Sequence, residues 1–353
     1  MKRISLVGWP AIAALAFAGC ASQTEREARL LVVPVNWIGK TMEWCAGPRE
    51  RLLKNERIDL RRRVKTPDGI EIDVWVIKSR LYDKGADNKG SLFESRITRG
   101  TVVMLHPLLM GKTWFLRMGQ DLAERGWDII LLDLRGHGYS GGQYITWGFK
   151  EKHDVKAVVD ELIKTQPLSD KVYVCGSSTG GSIAIQYAAI DPRCKGVIAL
   201  APPAGAIDIF RRMLFLVPES NFETALKRAA EMADFDPTQA SAVAAAKKLS
   251  CPLILIHGSW DWLVPFRNSE QIADATSAPK KLIPLKYVGH ASEIGRDGWL
   301  SDQMDVLSDM ARKNQPAVHT ITRSRWRSKL RPWSPGMAGP SGGVGYAGSS
   351  PAR

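Results

Sequence analysis

The chain has 353 residues, 44% hydrophobic and 24% charged, which suits one or two globular domains with a sizeable core. Its formal net charge of +13 looks like a nucleic-acid signal, but Lys2, Arg3 and eight basic residues beyond position 311, where no acid occurs, account for ten of those charges. The body from 20 to 311 carries only +3, so the excess is a property of the ends and no nucleic-acid partner is expected.

The first residues, MKRISLVGWPAIAALAFAGCASQ, set Lys2 and Arg3 before a mostly apolar stretch that ends at Ala18. That stretch is too short and wrongly flanked for a membrane span. Small residues directly before Cys20 resemble a bacterial lipoprotein signal, with Phe17 where that motif usually has Leu. The resemblance implies a signal peptide over 1–19 and lipidation of Cys20, hence a membrane anchor. Ala21 follows the cysteine in place of an acid, which implies an outer-membrane lipoprotein facing the periplasm. The other readings are an ordinary cleaved signal, giving a periplasmic or secreted protein, and an uncleaved anchor. Four further cysteines, Cys45, Cys175, Cys194 and Cys251, show no disulfide framework and no CxxC pair. Cys175 and Cys251 lie in or beside predicted strands as small core residues, and Cys45 with Cys194 is the pairing considered for an oxidising periplasm.

Residues 20–57 form a polar and amphipathic lead-in, partly helical. The body, 58–315, begins with IDLRRRV and IEIDVWVI around Thr66-Pro67-Asp68-Gly69, a β-hairpin by its alternation and turn residues. Residues 82–100 are polar and read as a surface loop. Strands and helices then alternate. Strands are expected at 101–106, 127–133, 171–175, 196–201, 252–257 and 281–288, with helices at 113–125, 150–165, 178–190, 268–276 and 297–313. Continuous apolar strands between helices indicate an α/β fold with a mostly parallel sheet covered on both faces. The alternation breaks at 205–249, a helical insertion above the sheet edge. Its apolar residues Ile209, Phe210, Met213, Leu214, Phe215 and Leu216 either line an acyl pocket or pack the insertion itself. Residues 316–353 are basic and rich in Gly, Pro and Ser, which predicts disorder.

Residues 172–185, VYVCGSSTGGSIAI, contain G-x-S-x-G between a strand and a helix. In that setting the central serine is pushed out of a sharp turn and the glycines let strand and helix approach. Ser178 is therefore the candidate nucleophile, and Ser177 its neighbour with the other orientation. A serine hydroxyl needs a base. Of the six histidines, His290 in YVGHASEIG follows the last strand and can fold over the sheet edge. His137 in LRGHGYS is its rival, with structure the favoured reading; His106 and His257 sit at strand ends and suit loop organisation. Asp261 in LILIHGSWDWLVP lies just past a buried strand on the same edge and can hold the base's tautomer.

Four blocks then carry a family resemblance: LHPLLMG (105–111), DLRGHGYSGG (133–142), CGSSTGG (175–181), and HGSWDWLVP (257–265) with VGH (288–290). The chain resembles α/β-hydrolases over about residues 100–312, in the branch of lysophospholipases, monoglyceride lipases and serine-aminopeptidase-like enzymes. The order Ser178, Asp261, His290 is the one that architecture uses. The resemblance implies a catalytic triad of Ser178, Asp261 and His290, and a helical cap at 205–249. It also implies an oxyanion hole from the backbone N–H groups of Leu108 and Thr179, and bracing roles for Asp133 and Arg135. It departs from the family at His106-Pro107, where His-Gly is usual; Pro107 has no N–H and a fixed φ. The expectation is a serine esterase acting on lipid-derived or other small acyl substrates without metal or cofactor. Amidase, peptidase or acyltransferase work on the same residues, or a binding lipoprotein that keeps the fold, are the alternatives.

Overall fold

The computed structural model describes residues 22–34, 40–41, 58–86, 92–290 and 298–313. Cys20, Cys45, His319, the signal and the basic tail lie outside the described residues.

Helix α1 (Gln23–Val32) opens the described chain, with the Ser22 hydroxyl accepting from the Glu25 N–H at 3.1 Å. Strands β1 (Leu60–Lys65) and β2 (Glu71–Ile77) form the expected antiparallel hairpin, closed where Gly69 takes φ 85°. The polar stretch expected to be a loop contains a second hairpin, β3 (Tyr82–Ala86) with β4 (Leu92–Arg96), in a separate two-stranded sheet. Its segments YDKGA and LFESR lack the apolar alternation that marks a strand on a core. Here main-chain pairing defines the strands.

The wound part follows: β5 (Thr101–Leu105), a 3₁₀ turn (Lys112–Phe115), α2 (Leu116–Glu124), β6 (Asp128–Leu132), α3 (Glu151–Thr165), β7 (Val172–Ser177), α4 (Thr179–Ala188) and β8 (Cys194–Leu200). The insertion supplies α5 (Ala206–Met213), α6 (Glu219–Ala233) and α7 (Ala242–Ala246). The chain then returns through β9 (Leu253–Gly258), α8 (Arg267–Ala275), β10 (Lys280–Leu285) and α9 (Trp299–Lys313). The eight-stranded sheet has the order β1-β2-β6-β5-β7-β8-β9-β10, parallel from β6 to β10, with β2 antiparallel to β6.

Strands β5 to β9 are apolar on both faces because helices cover both. Val103, Leu105, Ile130 and Leu132 face α3, α4, α7 and α8, while Val102, Met104, Ile129 and Leu131 face α2 and α9. Each such side chain contributes roughly 1.5–3 kcal/mol by leaving water, which is what fixes the register. A third core lies in the insertion. Phe210, Phe222, Ala225 and Ala229 pack with Ala28, Leu31 and Val32 of α1, and with Ile145 and Trp147. The Trp147 indole N–H donates to the Leu31 carbonyl at 2.8 Å, and Arg228 of α6 pairs with Glu25 at 2.8 Å. The lead-in helix is thus a wall of the cap.

From β5 the chain winds to β6 on one side; from β7 it winds to β8, β9 and β10 on the other. The carboxyl ends of β5 and β7 therefore flank the switch point, where an open α/β sheet leaves a crevice.

Candidate active site

Ser178 sits in that crevice, one residue beyond β7, with φ 52° and ψ −119°. A non-glycine residue is strained there. Its neighbours make the turn sterically possible: a Cβ on Gly176 would lie 2.1 Å from the Gly180 carbonyl oxygen, and one on Gly180 would lie 2.1 Å from that of Leu105. The Ser178 N–H donates to the Leu200 carbonyl at 2.7 Å, tying the turn to β8. The two adjacent serines separate as their alternation predicts. Ser177 is wholly buried and its Oγ has no partner among the described residues, whereas Ser178, also buried, keeps 6% exposure and its Oγ lies 2.9 Å from His290 Nε2.

His290 and Asp261 come from two loops that brace one another. The Ser259 N–H donates to the Leu285 carbonyl at 2.8 Å, and that of Trp260 to the Val288 carbonyl at 3.0 Å. A Cβ on Gly258 would strike the Val288 carbonyl at 2.3 Å, so glycine lets the loops meet. His290 Nδ1 then lies 2.6 Å from Asp261 Oδ2. With Asp261 accepting from Nδ1–H, Nε2 is left to accept the Ser178 hydroxyl proton.

Asp261 is buried and well supplied with donors. Its Oδ1 accepts from the N–H groups of Leu263 (3.1 Å) and Val264 (2.8 Å). Burial pushes the carboxyl up, but hydrogen bonds from His257 and His290, the His290 charge and the Val264 N–H together hold it below the usual carboxylate range. His257 is a contributor that motif reading left among the loop organisers. Its Nε2 donates to the Val264 carbonyl at 2.8 Å and lies 3.3 Å from Asp261 Oδ2, while Nδ1 meets Ser269 Oγ at 2.7 Å.

The loop after β5 carries Leu108. Pro107 fits here because its carbonyl, not an N–H, is the group in use: it meets His106 Nδ1 at 2.9 Å and accepts from the Met110 N–H at 3.2 Å. His106 Nε2 in turn accepts from the Leu134 N–H at 2.9 Å. Leu109 takes φ 70° beyond it. Among the described residues, neither the Leu108 nor the Thr179 N–H meets an acceptor, so both stay free for a ligand oxygen. Thr179 opens α4, whose N-terminus favours negative charge.

Under this loop lies a cluster of which the sequence pointed only to Asp133: Lys112 with Asp73 and Asp133. The lysine is fully buried, 2.6 Å from Asp133 and 2.8 Å from Asp73, with the Trp75 ring 4.6 Å from its Nζ. Asp133 also accepts from the N–H groups of Lys112 (2.7 Å) and Tyr139 (2.9 Å). Arg135 forks onto Asp154 at 2.6 and 2.7 Å. Asp133 thus holds the end of the loop at Lys112, while Arg135 ties α3 to Asp68 in the β1–β2 turn. His137 is buried with Nδ1 3.0 Å from the Arg135 carbonyl, and its ring packs edge-on to His106.

The insertion divides its apolar residues between two roles. Ile209, Phe210 and Leu214 point into its own core, while Leu108, Met213, Val217 and Leu263 are half-buried against it. Phe215 and Leu216 stand 74% and 82% exposed. Trp260 and Trp262, on either side of Asp261, and Tyr287 are also exposed, and Arg212 of α5 donates to the Trp262 carbonyl at 3.1 Å.

A mostly parallel sheet with this switch point and a strained serine turn defines the α/β-hydrolase fold. The family described as serine aminopeptidase, S33, matches residues 96–221, which hold the Leu108 loop and Ser178 but not Asp261 or His290. An uncharacterized protein of Bacillus subtilis, YqkD, is 26% identical over 218 residues, 59% of this chain and 70% of its own. An uncharacterized peptidase of the same species, YuxL, is 22% identical over 297 residues, 79% of this chain but only 40% of its own length. An esterase of Pyrococcus furiosus superposes with a TM-score of 0.53 at 20% identity, covering 74% of this chain and 95% of the esterase.

Proposed function

We propose that the protein is a serine hydrolase that cleaves carboxylic esters of lipid-derived or other small acyl groups. The observation that carries this reading is the continuous relay Ser178 Oγ–His290 Nε2, His290 Nδ1–Asp261 Oδ2, at 2.9 and 2.6 Å. Ser178 Oγ attacks the acyl carbonyl as its proton passes to His290 Nε2. Asp261 holds the imidazole and stabilises the imidazolium. The oxyanion draws on the Leu108 and Thr179 N–H groups, aided by the α4 N-terminus. His290 returns the proton to the leaving alcohol, the acyl group stays on Ser178 Oγ, and water deprotonated by His290 releases the acid.

The apolar surroundings support an acyl substrate: Leu108, Met213, Val217 and Leu263 at the cap, with exposed Phe215, Leu216, Trp260, Trp262 and Tyr287 beyond. Membrane anchoring through a lipidated Cys20 belongs to the same proposal. Helix α1 begins three residues after it and rests on the cap, so the anchor holds the cap side near the bilayer. Among the described residues no helix is long and apolar enough to cross a membrane. A second reading, cleavage of amides, is favoured by the aminopeptidase family match and by the relative named a peptidase.

Fluorophosphonate labelling of the detergent-solubilised chain, beside Ser178→Ala and Ser177→Ala, tests the proposal. Labelling lost only in Ser178→Ala supports an activated Ser178, and a folded wild type that takes no label sinks the enzyme reading. Turnover of p-nitrophenyl esters against matched p-nitroanilides decides between ester and amide.

A further inference from the structure

Cys175, Cys194 and Cys251 are free thiols, all buried. Cys175 lies inside β7 with no titratable neighbour, and burial pushes its thiol up to about 12. The other two are a pair. Cys194 opens β8, Cys251 stands two residues before β9, and their sulfurs are 3.9 Å apart. The pairing considered from the sequence, Cys45 with Cys194, has one member outside the described residues, and Cys251 occupies the place beside Cys194.

Three features fit this pair to a covalent bond. Strands β8 and β9 are adjacent and parallel, in register from Val197 and Leu253. The sulfurs need to approach by about 1.9 Å to reach bonding distance, which is within the sweep of a χ1 rotation and leaves the sheet in place. Finally, the 57-residue separation between the two cysteines contains β8 and then the whole cap, α5, α6 and α7. A bond here closes a loop that holds β8 and the whole cap, joining the amino end of β8 to the segment that leads from the cap into β9.

We propose that Cys194 and Cys251 are a modification site, oxidised to an intramolecular disulfide that joins the amino ends of β8 and β9 and closes the loop containing the cap. The oxidant is a second disulfide, of a small thiol or of a dithiol oxidoreductase. The Cys251 thiolate attacks one of its sulfurs, forming a mixed disulfide and expelling a thiolate. Cys194 then loses its proton and attacks Cys251 Sγ, expelling the second thiolate, so two protein thiols are oxidised and one external disulfide is reduced to two thiols. Cys251 acts first because its hydrogen bond, followed by burial, pushes the Cys194 thiol well above the usual range. The bond lies at the amino ends of β8 and β9, whereas Ser178 and Asp261 follow the carboxyl ends of β7 and β9. It therefore stiffens the cap-bearing segment without touching the hydrogen-bonded site.

The test uses the reduced full chain, equilibrated with oxidised glutathione, alkylated, digested without reductant and mapped by mass. The expected result is one cross-linked peptide pair carrying Cys194 and Cys251, with Cys175 still alkylated. The oxidised chain should melt at least about 5 °C higher than the reduced chain, a difference absent from Cys194→Ala. Full alkylation of Cys194 and Cys251 after oxidation, recovery of Cys194 linked to Cys45, or equal melting of the two forms overturns the proposal. The mapping is done on the natural sequence, so it stands even where a cysteine variant fails to fold.

Discussion

His106 makes the fold sensitive to acid, and the effect has a sign and a size. Its ring is completely buried; that burial, and next the neighbouring His137, push its pKa to about 3, against the smaller raising effects of Asp133 and the Pro107 carbonyl. In the unfolded chain an imidazole titrates near 6.5. Between about pH 3 and 6.5 the unfolded state therefore binds more protons than the native state, and stability rises with pH across that window. The contribution is fully present above about 6.5 and is lost as the pH falls toward 3, a total of roughly 4–5 kcal/mol at about 1.4 kcal/mol per pH unit. From pH 7 to 4.5 the loss is about 2–3 kcal/mol. His106→Gln keeps an acceptor and a donor for the Leu134 N–H and the Pro107 carbonyl but cannot titrate. Urea denaturation of both proteins from pH 4.5 to 7.5 should show the wild type losing about 2–3 kcal/mol more than the variant. Parallel curves, closer than about 0.5 kcal/mol over that range, would refute the assignment of a neutral buried His106.

Lys112→Met should destabilise the protein by about 3–5 kcal/mol in urea melts, because it leaves the buried Asp73 and Asp133 carboxylates without their shared cation; a loss below about 1 kcal/mol would show that the cluster is not held as an ion network. His257→Phe should lower kcat about tenfold with KM nearly unchanged, the mark of a positioning residue. It should also move the acid limb of the rate profile to higher pH, since one of the hydrogen bonds that hold Asp261 low is removed; an unmoved acid limb counts against that role.

The parts of the fold that sequence displayed are those where a local pattern and the tertiary environment agree. Strands such as TVVML and LILIHG are mostly apolar and buried at every position because helices cover both faces, so they stand out from polar surroundings. The β3–β4 hairpin did not stand out, because its residues are those of a loop and only the pairing of Tyr82 with Arg96 through Ala86 with Leu92 makes it a sheet. The candidate site was legible for a different reason. Ser178, Asp261 and His290 each follow a strand on one sheet edge, so chain order alone brings them to the same crevice, and they lie in one hydrogen-bonded line. Lys112 was hidden because Gly-Lys-Thr in a loop reads as solvated. Its burial depends on Asp73 and Asp133, which come from β2 and from the end of β6. The six apolar residues of the cap left two readings open, and burial divides them: Ile209, Phe210 and Leu214 pack inward while Phe215 and Leu216, past the end of α5, meet solvent.

The distribution of strain explains why a sheet this thoroughly buried suits such a site. Leu109, Ser178, Ala201 and Tyr287 all have positive φ, and each lies just past the carboxyl end of a strand, β5, β7, β8 or β10. Each such residue costs on the order of 1–3 kcal/mol, enough in sum to rival the net stability of a domain. The strained turns persist because the strands they leave, apart from edge strand β10 and Lys195 near the start of β8, are closed to water. Relaxing one turn would pull apolar side chains out of two packed layers at once. Strain at the switch point and burial in the sheet are therefore one arrangement. The turn that lifts Ser178 toward His290 is held open by the same Val, Leu and Ile residues that gave the strands their sequence signature.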